Sequence, residues 1–270
     1  MFKCINIYLY ICAQNIINMT NSIISVLNHK GGVGKTTTVA NVGGGLHRLG
    51  KRVLLVDLDP PANLTLHLLD GVQPGQPTIF GALTGRYGLP VVSLSAGFDM
   101  VVSSIDLSGV ELILQSEPGR EKILFELIRP FVGDYDFIII DCPPSLGLLT
   151  VLALSASTSV IIPVEAGTFA MVGMSQLFEI FDKVKTRLND RLTSYNILLT
   201  KYDGRKTIQK EIAALIRKQC DSKVFSSVIR TNVALEEATM ARKCVYDLDL
   251  KCSGSVDYLS LCNEILSNNL

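Results

Sequence analysis

From Ile23 onward the chain alternates short, almost wholly apolar runs with longer stretches whose apolar residues recur at helical spacing. Strands are expected over 23–28, 52–57, 98–103, 136–141, 159–164 and 195–200. Several are apolar at nearly every position, as strands covered on both faces must be. Helices are expected over 36–49, 107–115, 119–131, 147–157, 169–188, 205–219, 232–241 and 254–268. Strand then helix, repeated, predicts one α/β domain: a mostly parallel sheet with right-handed crossovers and helices on both faces. The turn-rich segments 73–77 and 85–90 are too short for linkers, so no second domain is expected beyond the unit 22–270. Three adjacent glycines, Gly43 to Gly45, fall inside the first helix, each costing about 1 kcal/mol against alanine.

Composition supports a large core: of 270 residues, 48% are hydrophobic and 19% charged. No apolar run reaches the ~18 residues needed to cross a bilayer. Seven cysteines stand at irregular positions without a CxxC pair, which reads as reduced thiols in a cytosolic protein. Residues 1–21 stand apart. Lys3 and the apolar stretch 5–13 faintly resemble a secretory signal. The preferred reading is an extension outside the fold, or an upstream start with Met19 as the functional one.

Formal net charge is zero, but its distribution is uneven. Residues 183–251 hold 15 Lys and Arg against 8 Asp and Glu, whereas residues 1–182 hold 10 against 15. A polyanion would therefore be met by the C-terminal third.

The chemistry concentrates at strand ends. The first strand runs into Lys30-Gly31-Gly32-Val33-Gly34-Lys35-Thr36, followed by Thr37 and a helix. Glycines at 31, 32 and 34 let successive N–H groups turn inward toward an anion, and the helix N-terminus adds its own. Lys35 is placed to reach the outer phosphates and the Thr36 hydroxyl to ligate Mg²⁺. The usual pattern Gly-x-x-x-x-Gly-Lys-Thr is broken by His29 at its first position, with an additional lysine, Lys30, after it. A second apolar strand ends in Asp57-Leu58-Asp59-Pro60, where two acids at i and i+2 face one way if the strand persists. A third, Phe137-Ile138-Ile139-Ile140-Asp141, also ends in an acid.

The extra lysine beside this loop resembles the deviant Walker A ATPases of the ParA/MinD group, most closely the ParA-type (Soj-like) DNA partition ATPases. The resemblance runs from about Ile23 to the C-terminus. It implies a P-loop ATPase using ATP and Mg²⁺, with Gly31, Gly32, Val33, Gly34, Lys35, Thr36 and Thr37 around the phosphates. Catalytic roles fall to Lys30, Lys35 and Asp59: Lys30 crosses an ATP-dependent homodimer, and Asp59 orients the attacking water. Thr36, Asp57 and Asp141 are implied around the metal, Thr200 and Asn232 near the base. Pro61 replaces the family's usual Gln, and Gly167 stands where an acid is common.

Family resemblance further implies non-specific binding of double-stranded DNA by the ATP dimer, with release through hydrolysis stimulated by a ParB-like centromere-binding activator. Location would be cytoplasmic, on the nucleoid. Such DNA binding needs a basic patch on the phosphate backbone. Candidates are Arg205, Lys206, Lys210, Arg217, Lys218, Lys223, Arg230, Arg242 and Lys243, with Lys206, Lys210 and Arg217 expected on one helix face. Two other readings belong to the same motif: an ATP-gated regulator with negligible turnover, and a MinD-like membrane ATPase. The latter needs a basic amphipathic tail; residues 258–270 contain no Lys or Arg, so no membrane partner is expected. The iron-protein relatives of nitrogenase need paired cluster cysteines, and only Cys142 lies near the motif.

Overall fold

A computed structural model describes residues 22–167, 170–268 and 270. The extension through residue 21 lies outside the described residues, as does residue 169 at the start of one expected helix. In chain order the elements are β1 (Ser22–Val26), α1 (Lys35–Arg48), β2 (Val53–Asp57), α2 (Asn63–Leu68), α3 (Ile79–Leu83), β3 (Val91–Ser95), β4 (Phe98–Val101) and α4 (Val110–Ile113). Next come α5 (Ile123–Ile128), β5 (Phe137–Asp141), α6 (Leu148–Ala156), β6 (Ser159–Glu165), α7 (Ala170–Arg187) and β7 (Ser194–Tyr202). The chain ends with α8 (Thr207–Cys220), β8 (Val224–Arg230), α9 (Val233–Met240), α10 (Val245–Leu248) and α11 (Ser253–Ser267).

The strands form one 8-stranded sheet in the order β3-β4-β2-β5-β1-β6-β7-β8. Every pairing is parallel except β3 with β4, an antiparallel edge hairpin. All six expected strands are present. The sequence pattern missed the two edge strands: β3 is short and half-exposed, and β8 carries a Ser-Ser pair among its apolar residues. Edge strands face solvent along one side, so they lack the continuous apolar run that marks the interior ones. The expected helix over 107–115 is instead α4 flanked by 3₁₀ turns at Ile105–Gly109 and Leu114–Ser116.

Alternation along the strands builds two cores. In β5, Ile138 and Ile140 face a layer of α4 to α8, while Phe137 and Ile139 face α1, α9, α10 and α11. The glycine run of α1 belongs to the second layer. A Cβ on Gly43 would stand 2.6 Å from Leu55 Cδ2, and one on Gly45 would stand 2.5 Å from the Tyr246 hydroxyl. The glycines therefore permit close approach of α1 to β2 and α10, which accounts for their cost in helix propensity. Asn41 completes the docking: its side chain accepts from Val245 N at 2.8 Å, and its carbonyl accepts from the Tyr246 hydroxyl at 2.7 Å.

At the far edge, α11 protects β8. Glu264 accepts from Ser226 N and Ser227 N at 2.7 and 2.9 Å, and Asp257 accepts from Arg230 N at 2.9 Å. These carboxylates satisfy edge N–H groups that would otherwise offer a pairing template. Among the described residues no helix is long and apolar enough to cross a membrane.

Candidate nucleotide site

The site assembles at the carboxyl ends of β1, β2 and β5, where open α/β sheets bind ligands. Asn28, just past β1, donates to Pro163 O at 2.7 Å and accepts from Lys30 N at 3.0 Å, which opens the glycine turn. Gly32 and Gly34 take φ of +74° and +88°, conformations that side chains avoid, and no atom comes within 4 Å of where their Cβ would be. That bare concave backbone is the shape a phosphate chain needs. Thr200 donates to Val33 O at 2.8 Å, so its hydroxyl braces the loop instead of reaching for a base.

Lys35 is buried and its Nζ donates to Lys30 O at 3.2 Å, across the turn. Burial lowers its pKa, while the charges of Asp141 and Asp59 oppose the shift. Thr36 Oγ1 donates to Asp141 Oδ2 at 2.7 Å. Desolvation, followed by the charge of Asp57, raises Asp141 well above the usual carboxylate range. Burial also raises Asp59, against the pull of Lys35.

Asp57 differs from the expectation of a metal-shell residue. It is fully buried, and both its oxygens are occupied: Oδ1 by Asp59 N at 3.2 Å, Oδ2 by Thr65 N and Oγ1 at 2.9 and 2.7 Å. Desolvation raises its pKa to about 6, with the Thr65 bonds opposing. β2 also ends at Asp57, so Asp59 lies beyond the strand and the i, i+2 alignment does not apply.

The donor set fits a metal–nucleotide pair. Asp59 Oδ1 and Asp141 Oδ1 are buried acceptors without a partner. Among the described residues no three His, Cys, Asp or Glu side chains form an all-protein cage. A hydroxyl, a carboxylate and spare acceptors suit Mg²⁺ carried in on phosphates with its own waters. A cavity of about 760 Å³ extends from Gly31 and Thr36 past Asp59 and Pro61 to Asn232 and Leu235.

Asn232 borders this cavity, but its side chain is spent elsewhere. It accepts from Ala234 N at 2.9 Å, capping α9, and donates to Ser253 at 2.7 Å. Lys30 turns outward: its side chain is 58% exposed, with Nζ 3.7 Å from Glu165 Oε2. Glu165, at the end of β6, thus supplies an acid two residues before Gly167. Sequence reading passed over Glu165, Thr65 and Ser103, because their relation to the site exists only once β2, α2, β4 and β6 are folded together.

The basic candidates do not form one patch. Lys206, Lys210 and Lys218 are exposed along an i, i+4 row on and just before α8. Arg217 instead turns inward, donating to Phe225 O at 2.9 Å. Arg230 is clasped to Asp257, Arg205 to Asp203 at 2.9 Å, and Arg242 to Asp70. Lys223 lies over the Tyr195 ring. Arg242 and Lys243 follow α9 on the opposite side of the sheet from α8.

A parallel sheet whose first strand feeds a bare glycine turn, a buried lysine and a threonine tied to a strand-end aspartate defines a P-loop nucleotide-binding protein. A family model described as an AAA domain matches residues 21–194. The chromosome partitioning protein ParA of Caulobacter vibrioides is 39% identical over 253 residues, 91% of this chain and 94% of that protein. The sporulation initiation inhibitor protein Soj of Bacillus subtilis is 38% identical over 251 residues, 91% and 98% of the two chains. Cobyrinic acid a,c-diamide synthase from Mycobacterium smegmatis, solved with ADP and magnesium, superposes with TM-score 0.80 at 32% identity, covering 92% of this chain and 95% of that one. The chain belongs to the ParA/Soj family of P-loop partition ATPases.

Proposed function

We propose that the protein is an ATP-driven DNA partition switch, in which ATP with Mg²⁺ joins two copies through Lys30. The observation that carries this reading is the divergence of the two loop lysines. Lys35 is buried under its own loop, whereas Lys30 is exposed and, among the described residues, paired at the surface with Glu165. Such a pair is worth less than about 1 kcal/mol, so Lys30 is readily released to a facing copy. A second cation at the transferring phosphate would stabilise the charge that develops there.

Within one copy, Lys35 and the loop amides bind the outer phosphates, and Thr36 and Asp141 hold the metal. Mg²⁺, when bound, neutralises phosphate charge. Asp59, with one buried oxygen free, orients the water. Phosphoryl transfer depends mainly on such positioning and electrostatics. The joined pair presents two α8 ridges of Lys206, Lys210 and Lys218 to DNA, in an affinity that falls with salt. A ParB-like centromere-binding protein stimulates hydrolysis and release, and the protein works in the cytoplasm on the nucleoid. The C-terminal helix has its apolar residues Tyr258, Leu261 and Ile265 buried against the sheet.

The test is light scattering and DNA retention with ATP. Lys30→Ala should bind ATP as a monomer and fail to pair. Reversing Lys206, Lys210 and Lys218 to Glu should keep the pair and lose DNA. A Lys30→Ala protein that pairs normally with ATP overturns the dimer reading. Pairing with no stimulated hydrolysis favours the ATP-gated regulator.

A further inference from the structure

Asp59 has an unusual setting for a residue that must hold a water. It lies two residues beyond the end of β2, so no strand ladder sets its position. Ala62, three residues on, takes a left-handed φ of 54° and starts α2. The segment between is a tight turn closed by Ala62 N donating to Asp59 O at 2.9 Å, and just before it Leu58 N donates to Asp141 O at 3.0 Å.

Beyond that turn, Asp59 is gripped by a closed ring of buried hydrogen bonds. Asp59 N donates to Asp57 Oδ1 at 3.2 Å. Asp57 Oδ2 accepts from Thr65 Oγ1 at 2.7 Å. Thr65 Oγ1 in turn accepts from Ser103 N at 3.0 Å, and Ser103 Oγ donates to Asp59 O at 2.9 Å. Asp57, Thr65 and Ser103 are wholly buried, and Asp59 is 6% exposed. The ring therefore grips the Asp59 residue at its N–H and its carbonyl while leaving Oδ1 of its carboxylate without a partner.

We propose that Thr65 and Ser103 are positioning residues for Asp59, clamping its backbone from both sides so that its carboxylate points at the γ-phosphate side of the site. The proposal rests on the reading of Asp59 as the water-orienting group. Thr65 is the key member because its hydroxyl is both donor and acceptor in the ring. A hydroxyl can do both at once. Valine keeps the shape but leaves Ser103 N buried without a partner and removes one bond from Asp57. Serine keeps both bonds. Because Ser103 follows β4, the ring also ties the water-orienting segment to a second strand, one with no other part in the nucleotide site.

The experiment measures kcat, ATP affinity with a fluorescent ATP analogue, and melting temperature in the full chain. Thr65→Val should lower kcat by about tenfold or more while ATP affinity stays within about threefold, the signature of misplaced machinery with intact binding. Thr65→Ser should recover kcat to within about threefold of the wild type. Ser103→Ala should reproduce the Thr65→Val pattern; if Thr65→Val does not fold, Ser103→Ala decides by the same criterion. Wild-type turnover in Thr65→Val, equal losses in the Ser and Val variants, or a kcat loss matched by lost ATP binding would each overturn the proposal. Asp59→Ala run alongside separates the two ideas: wild-type hydrolysis there removes the role of Asp59 itself, whereas a dead Asp59→Ala beside a normal Thr65→Val removes only the clamp.

Discussion

The Thr36 hydroxyl donates to Oδ2 of Asp141 across 2.7 Å, tying the first turn of α1 to the end of β5. Two oxygens suited to one Mg²⁺ thus hold each other. Thr36→Val removes the hydroxyl proposed to ligate Mg²⁺ and leaves Asp141 Oδ2 unpaired beside the already orphaned Oδ1. The expected result is an ATP affinity lowered by about tenfold or more in Mg²⁺ and unchanged in EDTA, read by calorimetry.

The glycine run of α1 tests whether packing or propensity rules that helix. Alanine would gain about 1 kcal/mol of helix propensity at each position. At Gly45, however, the new Cβ would stand 2.5 Å from the Tyr246 hydroxyl and 2.6 Å from Cys262 Sγ. Overpacking costs about 1–3 kcal/mol, so Gly45→Ala should lower stability in denaturant titration. A gain in stability would show that α10 and α11 yield without strain.

His67 carries a pH signature. It is buried, its Nε2 meets Lys243 O at 3.0 Å, and desolvation lowers its pKa from the ordinary 6.5. Below 6.5 the unfolded chain takes up a proton that the folded protein refuses, so stability falls as pH drops through that value and is unaffected above it. The melting temperature should fall further between about pH 7.5 and 5.5 in the wild type than in His67→Gln. Parallel curves for the two proteins would contradict it.

Arg230 and Lys210 are both cations of the C-terminal third, but they should respond differently to removal. Arg230 makes two or more bonds to the buried Asp257 and joins β8 to α11, whereas Lys210 is exposed on α8. Arg230→Ala leaves a buried carboxylate with fewer donors and should cost about 1–3 kcal/mol. Lys210→Ala should stay within about 0.5 kcal/mol of the wild type. Chemical denaturation of the two variants, with DNA retention measured beside it, separates the structural cation from the proposed contact.

Interior strands and the glycine loop were legible because their signals are local. A strand covered on both faces is buried along its length and mostly apolar: β2 and β5 are apolar up to their terminal Asp, and β1 is apolar at three of its five positions. Edge strands obey no such demand, which is why β3 and β8 escaped. Among site residues, Lys35 and Thr36 stood in one continuous motif, and their placement over a bare loop follows from backbone geometry close at hand. The basic residues show the opposite case. Their excess was countable, yet whether each cation is free depends on distant partners: Asp257 for Arg230, Asp70 for Arg242, the Phe225 carbonyl for Arg217.

Sequence by itself determined the α/β class, the order of the interior strands' chemistry and the identity of the phosphate loop with its additional Lys30. Each depends on residues near one another in the chain, through periodicity, turn geometry or a helix start. Tertiary structure alone decided that Asp57 is spent on Thr65, that Asn232 caps a helix, that Gly45 faces Tyr246 and that Lys30 meets Glu165. Those outcomes turn on hydrogen bonds and close contacts between strands and helices far apart in sequence, where a buried donor or acceptor must find whatever partner the fold brings within about 3 Å.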